Sequence, residues 1–372
     1  MRDPSETKTP LEKPCEPVMS GVVRRESFED LAGCMKDYFQ IDATQLESGC
    51  FQGQVDFIAA KGLLLYRENY PLRTHLEGEL LGNRFGFSIP LLTAEARFLG
   101  EIVDDNKISS SITGESFYHM MESGYQQMLL LIDYAKLLPM AERLSLSEAS
   151  LKAFLPGRRK KTLQTNHYDI QRLREIFIPL LNAASQSNLN ISADQFEKVI
   201  FDSILPLLDG GEDDLDRGPA AVTVHRALEL ARSITGPVCI SDFCTMLNVN
   251  PRTLHKAFIK IMGMPPHQFF QKRRLSQAYH VLANADPREF SVSDIAMRLE
   301  FSELGRFSVQ YRGLFGESPS ETLRRFRKCT VVVPFTRLCP VFVLFGSPQC
   351  LQVTPLSLNE TNRIPLCKVR EE

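Results

Sequence analysis

The chain has 372 residues, 43% of them hydrophobic and 24% charged, with a formal net charge of −2. That length suits about two domains, with ample chain to bury cores. No run of 18 or more apolar residues occurs, which excludes a helical membrane span; the charged opening residues argue against a signal peptide; and nine scattered cysteines without CxxC or Cys/His zinc spacing fit a reducing, cytoplasmic setting.

The small net charge hides an asymmetry. Residues 220–328 hold sixteen Lys and Arg against nine Asp and Glu, a local charge of +7 that leaves −9 for the rest. A basic block beside an acidic one suggests one domain that meets a polyanion and one that does not.

In chain order, residues 1–23 read as a charged, Pro-rich, disordered lead. Residues 24–207 read as one unit. Strand-like runs at Val55–Ile58 and Leu63–Arg67 flank a Lys61-Gly62 turn. Gly78, Gly82 and Gly86 punctuate the next stretch of chain, and Phe85, Phe87 and Ile89 alternate with small or polar residues. Short strands with regular glycine breaks predict a β-barrel or sandwich, and a barrel, cupin-like, with flanking helices is the expectation. The helices come next: Ile170, Leu173, Phe177 and Leu181 lie at helical spacing, and Ser192 with Gln195 forms a capping-box pattern before Phe196, Val199, Ile200 and Ile204. Such helices either pair subunits or cap the chain's own core; a homodimer is the expectation. The basic run Arg158–Lys161 reads as a solvated loop, and the acidic, Gly-rich residues 208–219 as a linker.

After the linker the pattern is all-helical. Val224, Ala227, Leu228 and Ala231 form one inward face. Ser241 is a candidate N-cap, Asp242 complements the helix dipole, and Phe243, Cys244 and Leu247 share a face. Asn248-Val249-Asn250 is a tight turn, Pro251 opens the next helix, and Leu254 and Phe258 bury one side of it while Arg252, His255, Lys256 and Ile259 face out. Helix, tight turn and second helix with a basic outer face is the helix-turn-helix pattern. It recurs: Val292-Ser293-Asp294-Ile295-Ala296 repeats Ile240-Ser241-Asp242-Phe243-Cys244 at an offset of 52, and Phe307, Tyr311, Gly316 and Pro319 repeat Leu254, Phe258, Gly263 and Pro266 at 53. A connecting helix lies between the units, with Phe269, Leu275, Ala278 and Leu282 inward and Lys272, Arg273 and Arg274 outward, as phosphate contacts, solvated surface or, for Arg274, support within the domain. Two such units about 34 Å apart would enter successive major grooves on one side of DNA.

At these residues the sequence resembles the AraC/XylS family of bacterial transcription regulators. The segment Phe301–Arg324 (FSELGRFSVQYRGLFGESPSETLR) is similar to that family's second-unit signature, and Arg274-Leu275 to its central-helix pair. The front half resembles, more weakly, the ethanolamine-operon regulator branch at Gln45–Gly53, Leu65–Glu68, Phe85–Pro90 and Phe98–Gly100; only the domain type carries over. The resemblance implies an α+β protein with an N-terminal sensing or dimerisation domain over 24–207 and a C-terminal all-α double helix-turn-helix domain over 220–328. It implies a transcriptional regulator, and an activator is the expectation. Double-stranded DNA and RNA polymerase would be its partners. The N-terminal domain would take a small-molecule effector; alternatively it only dimerises.

The candidate DNA-contacting residues are Asn250, Arg252, Thr253, His255 and Lys256 in the first unit and Ser302, Gly305, Arg306, Ser308 and Arg312 in the second. Arg252 suits guanine O6/N7; Lys256 suits a base or a phosphate. The second unit departs from the family pattern: Glu300 stands where a glycine is usual and Val309 where many members carry an arginine. It is expected to hold the DNA backbone through Ser302, Arg306 and Arg312. No cofactor, metal site, nucleophile elbow, P-loop or dinucleotide loop is read, so the chain is not expected to be an enzyme. Residues 329–372, apolar, Pro-rich and holding four of the nine cysteines, have no counterpart in the resemblance and no role is assigned.

Overall fold

The computed structural model describes residues 18–25, 27, 33, 35–91, 93–136, 139, 162–208, 218–232, 239–325 and 331–332. The basic run 158–161, most of the expected linker and nearly all of the C-terminal tail lie outside these residues.

The strands are β1 (Met19–Arg25), β2 (Phe39–Gln45), β3 (Gly53–Ala60), β4 (Leu63–Tyr70), β5 (Thr74–Leu80), β6 (Arg84–Pro90), β7 (Ala96–Phe98), β8 (Glu101–Ile102), β9 (Lys107–Ile112), β10 (Ser116–Met121), β11 (Tyr125–Asp133), β12 (Thr162–Gln164) and β13 (Val331–Val332). They form two antiparallel sheets, ordered β12-β9-β6-β11-β4-β3-β1-β13 and β2-β5-β10-β7-β8. The two sheets do not close into a barrel, which corrects the barrel expectation in favour of the sandwich alternative. The β3–β4 turn is a hairpin of the expected kind, with Lys61 and Gly62 both at positive φ (44° and 78°), and Leu99-Gly100 (53° and 90°) makes a second between β7 and β8. Of the expected glycine breaks, Gly78 and Gly86 lie inside β5 and β6, and Gly82 carries the chain from one sheet to the other, as Gly114 does from β9 to β10 and Gly124 from β10 to β11. Apart from β3–β4 and β7–β8, the consecutive strands from β1 to β11 lie in different sheets and do not pair edge to edge. A second correction concerns the lead, which was expected to be disordered through residue 23. Met19–Arg25 pairs with β3 along its whole length, from Met19↔Ala59 to Arg25↔Gly53, and buries Val23.

The helices of the front half are α1 (His167–Ser185) and α2 (Ala193–Leu208). Asn166 caps α1 by accepting from the Asp169 amide. Ser192 and Gln195 cap α2 reciprocally, as their spacing predicts. Ile170, Leu173, Phe177 and Leu181 of α1 and Phe196, Ile200 and Ile204 of α2 are buried against Phe85, Phe87, Leu130 and Ile132 of the large sheet. The apolar faces of both helices thus cap the chain's own core. The opposite face of that sheet packs through Tyr66, Tyr70, Tyr125 and Leu131 on Phe39, Leu76 and Leu80 of the small one.

The C-terminal helices are α3 (Pro219–Arg232), α4 (Ile240–Leu247), α5 (Pro251–Met262), α6 (Pro266–Asn284), α7 (Val292–Arg298), α8 (Leu304–Phe315) and α9 (Pro319–Arg324). They make two cores joined by α6. Phe269 and Phe270 belong to the core of α3–α5, and Leu275, Ala278, Tyr279 and Leu282 to that of α7–α9. The first core continues into the small sheet through Phe98, Leu99, Tyr118 and Met120. The layers therefore run helices, large sheet, small sheet, helical block. No helix among the described residues is long and apolar enough to cross a membrane.

Candidate nucleic-acid interface

Each helix-turn-helix unit is built from local signals. In the first, Asn248 takes the left-handed conformation (φ 54°) and ends α4; Asn250 caps α5, its side chain accepting from the Thr253 amide at 2.8 Å; and Pro251 sits where its missing N–H costs nothing. The start of α4 differs from expectation. Ser241 lies inside the helix, Cys239 holds the cap position, and no side chain makes the capping bond. In the second unit Ser291 and Asp294 form a full capping box at α7, and Ser318 and Glu321 another at α9. Both second helices run 12 residues and end on a left-handed glycine, Gly263 and Gly316. The duplication read from the sequence is thus a duplication of structure.

The expected core residues are buried: Leu254 and Phe258 in α5, Phe307 and Tyr311 in α8. The expected contact residues mostly are not. Arg252, Thr253, His255 and Lys256 are exposed on α5, and Gly305, Arg306 and Arg312 on α8, with Ser302 exposed in the preceding turn. Arg252, Lys256 and Lys260 succeed one another at four-residue spacing, so they form one stripe down the outside of α5. None of the three makes an ion pair with the described residues. Two members of the candidate set are already engaged. The Asn250 carboxamide oxygen holds the helix cap, and the Ser308 hydroxyl donates to the Leu304 carbonyl at 2.9 Å, half-buried. Arg312 lies 3.8 Å from Glu321, with both side chains largely in water.

The cations of α6 behave differently from one another. Arg274 stacks on the Phe301 ring at 4.2 Å, which ties α6 to the turn of the second unit, as support within the domain. Lys272 is half-buried, and burial together with the Arg73 guanidinium lowers its ammonium pKa. Arg273, expected to face outward, is only 5% exposed. Its guanidinium donates to Glu77 at 2.8 Å and Asp42 at 3.0 Å, on β5 and β2, and to the Ala231 carbonyl. The reason is that α6 is buried on two sides, one against its own domain and one against the small sheet.

The same seam reaches the ends of both exposed helices. Arg73 donates to the carbonyl of Met262, the last residue of α5. The Gln45 side chain and the Gly49 amide donate to the Leu314 carbonyl, and the Cys50 thiol to that of Phe315, at the end of α8. The β-rich half thereby satisfies C-terminal carbonyls of the two helices that carry the candidate contact residues. Sequence reasoning missed these residues, because Gln45, Gly49 and Cys50 meet their partners across about 265 positions of chain. No cluster of three or more His, Cys, Asp or Glu able to hold a metal occurs among the described residues.

The family comparison agrees with this geometry. Residues 243–325 match the family described as "Helix-turn-helix domain". The XylDLEGF operon transcriptional activator of Pseudomonas putida is 36% identical over 91 residues, which are 24% of this chain and 28% of that protein. The chain therefore spans little more than a quarter of that relative's length. The HTH-type transcriptional activator RhaR of Mannheimia succiniciproducens is 26% identical over 230 residues, 60% of this chain and 80% of the relative. The solved AraC-like transcriptional activator CuxR aligns with 70% of this chain and 96% of its own, at 14% identity and a TM-score of 0.38. Residues 243–325 of the C-terminal helical block form a helix-turn-helix domain.

Proposed function

We propose that this protein is a cytoplasmic, sequence-specific DNA-binding transcriptional activator. In this reading the helical domain, residues 220–328, grips double-stranded DNA and engages RNA polymerase, and the β-rich domain, residues 24–207, takes a signal from a small-molecule effector and pairs subunits. Residues 208–219 link them, and residues 329–372 keep no assigned role. The observation that carries the reading is the stripe of Arg252, Lys256 and Lys260 on the outer face of a capped, well-buried second helix. Cations that pair with no acid among the described residues, on a recognition helix, suit phosphates and guanine edges. The activator role rests on the relatives, which are transcriptional activators by name. The signalling role rests on the seam in which Arg73, Gln45, Gly49 and Cys50 hold the ends of α5 and α8.

The test is fluorescence anisotropy of the full chain on duplex DNA from upstream of its own gene, against unrelated duplex, titrated with salt. Site-preferring binding that weakens steeply with salt, and a loss of about 1–3 kcal/mol of preference in Arg252→Ala, support it. No binding to either duplex at low salt sinks it. Thermal stabilisation of the full chain by a small molecule separates sensing from mere pairing.

A further inference from the structure

The two exposed helices are built alike and surfaced differently. The 53-residue offset that aligns α5 with α8 pairs Arg252 with Gly305, Lys256 with Val309 and Lys260 with Gly313. The stripe that is cationic in the first unit is therefore Gly-Val-Gly in the second. Val309 is 74% exposed, an apolar side chain standing in water at the centre of that stripe. A Cβ added to Gly305 or Gly313 would meet nothing within 4 Å. Neither glycine is required by packing among the described residues, yet each weakens the helix relative to alanine. Glycine in a helix without an internal cause marks close approach by something outside the chain.

Resting on the DNA-binding reading above, we propose that Val309 is the specificity-determining residue of the second unit and reads a thymine through its 5-methyl group. Of the four bases, only thymine presents a methyl in the major groove, and an apolar side chain contacts it without needing a hydrogen-bond partner. Gly305 and Gly313, one turn to either side, let the helix backbone come close to the base edges around that contact. Arg306 and Arg312, off the stripe, hold phosphates. The first unit then supplies charge and guanine readout, and the second supplies an uncharged A·T reader.

The experiment is enrichment of a randomised duplex library by the full chain, compared for wild type, Val309→Ala and Arg252→Ala. The expected wild-type result is a two-part site with a fixed thymine in the half that Arg252→Ala leaves unchanged; Val309→Ala loses that thymine. Replacing this thymine with deoxyuridine, which lacks only the methyl, weakens wild type about fourfold and Val309→Ala not at all. Gly305→Ala and Gly313→Ala raise the melting temperature and weaken DNA binding. A two-part site that Val309→Ala enriches with the same thymine, a deoxyuridine site bound as well as the thymine one, or a wild-type site with one half only, each overturns the inference and leaves the DNA-binding reading standing. A wild-type chain that enriches no sequence defeats that reading itself.

Discussion

Glu300 holds the left-handed backbone conformation, φ 59°, that Asn248 holds at φ 54° in the equivalent turn 52 residues earlier. Asparagine tolerates this region because its short side chain bonds locally, whereas other residues carry a cost of about 1–2 kcal/mol from the Cβ. The second turn is thus strained at one position that the first turn solves chemically. Glu300→Gly is expected to stabilise the full chain by about 1 kcal/mol, less the entropy that glycine gains in the unfolded state, with Glu300→Asn intermediate. Urea unfolding would measure both. An unchanged or lower midpoint in Glu300→Gly would show that the turn is held without strain.

Arg273 gives a second expectation. Glu77 is 2% exposed, and burial raises its carboxyl pKa against the downward pull of Arg273. Arg273→Met would leave that carboxylate buried without its main partner, at a cost of about 3–5 kcal/mol. Arg273→Met combined with Glu77→Met should recover most of the loss, because the uncompensated charge is gone. Equal destabilisation of single and double variants would mean that the pair is packing alone. The measurement is denaturant unfolding of all three full-length chains.

These two sites show what the sequence makes legible. The helix-turn-helix units are local objects: turn residues, caps and burial faces fall within about 25 positions, so Asn250, Pro251, Leu254 and Phe258 announce their places and the offset repeats them at Phe307 and Tyr311. The sandwich is not local. Gly82 reads as a break between neighbouring strands, and only pairing partners far along the chain show that the strand after it, like those after Gly114 and Gly124, belongs to the other sheet. Arg273 fails for a related reason. Its neighbours define one apolar face of α6, but the opposite face is covered by Asp42 and Glu77, the latter 196 positions away. Part of the basic excess that suggests a polyanion partner in fact neutralises the β-rich half.

The stripe on α5 gives a thermodynamic signature that separates positioning from reading. Lys260 lies at the helix end, where its charge also suits the dipole. As a phosphate contact, its loss in Lys260→Ala should weaken binding to all duplexes alike and reduce the slope of log affinity against log salt by about 1. Arg252→Ala should instead narrow the gap between preferred and unrelated DNA. Anisotropy titrations at several salt concentrations distinguish them. If Lys260→Ala changed the ranking of sequences, Lys260 would be a reader.

Glu68 is a carboxyl buried inside the sandwich. Its side chain accepts from Gln127 at 2.6 Å and from the Tyr70 hydroxyl, but burial outweighs both and pushes its pKa up from 4.5 to about 7. The folded chain therefore binds a proton there that the unfolded chain has already released. This contribution to stability is full below pH 4.5 and is lost as pH rises through about 7. His75 and His119, held down to about 3 by burial, act the other way, since acid protonates the unfolded chain first and costs stability below about pH 6.5. The two effects oppose each other in the same pH range, so the wild-type profile alone conceals them. Glu68→Gln keeps an acceptor for Gln127 and removes only the titration. The difference between the two chains should be small at pH 5 and grow to about 2–3 kcal/mol in favour of Glu68→Gln at pH 8, read from urea midpoints at matched ionic strength. A difference that stays flat with pH would mean that Glu68 is ionised at little cost inside the sandwich, with its compensation coming from Gln127 and Tyr70 after all.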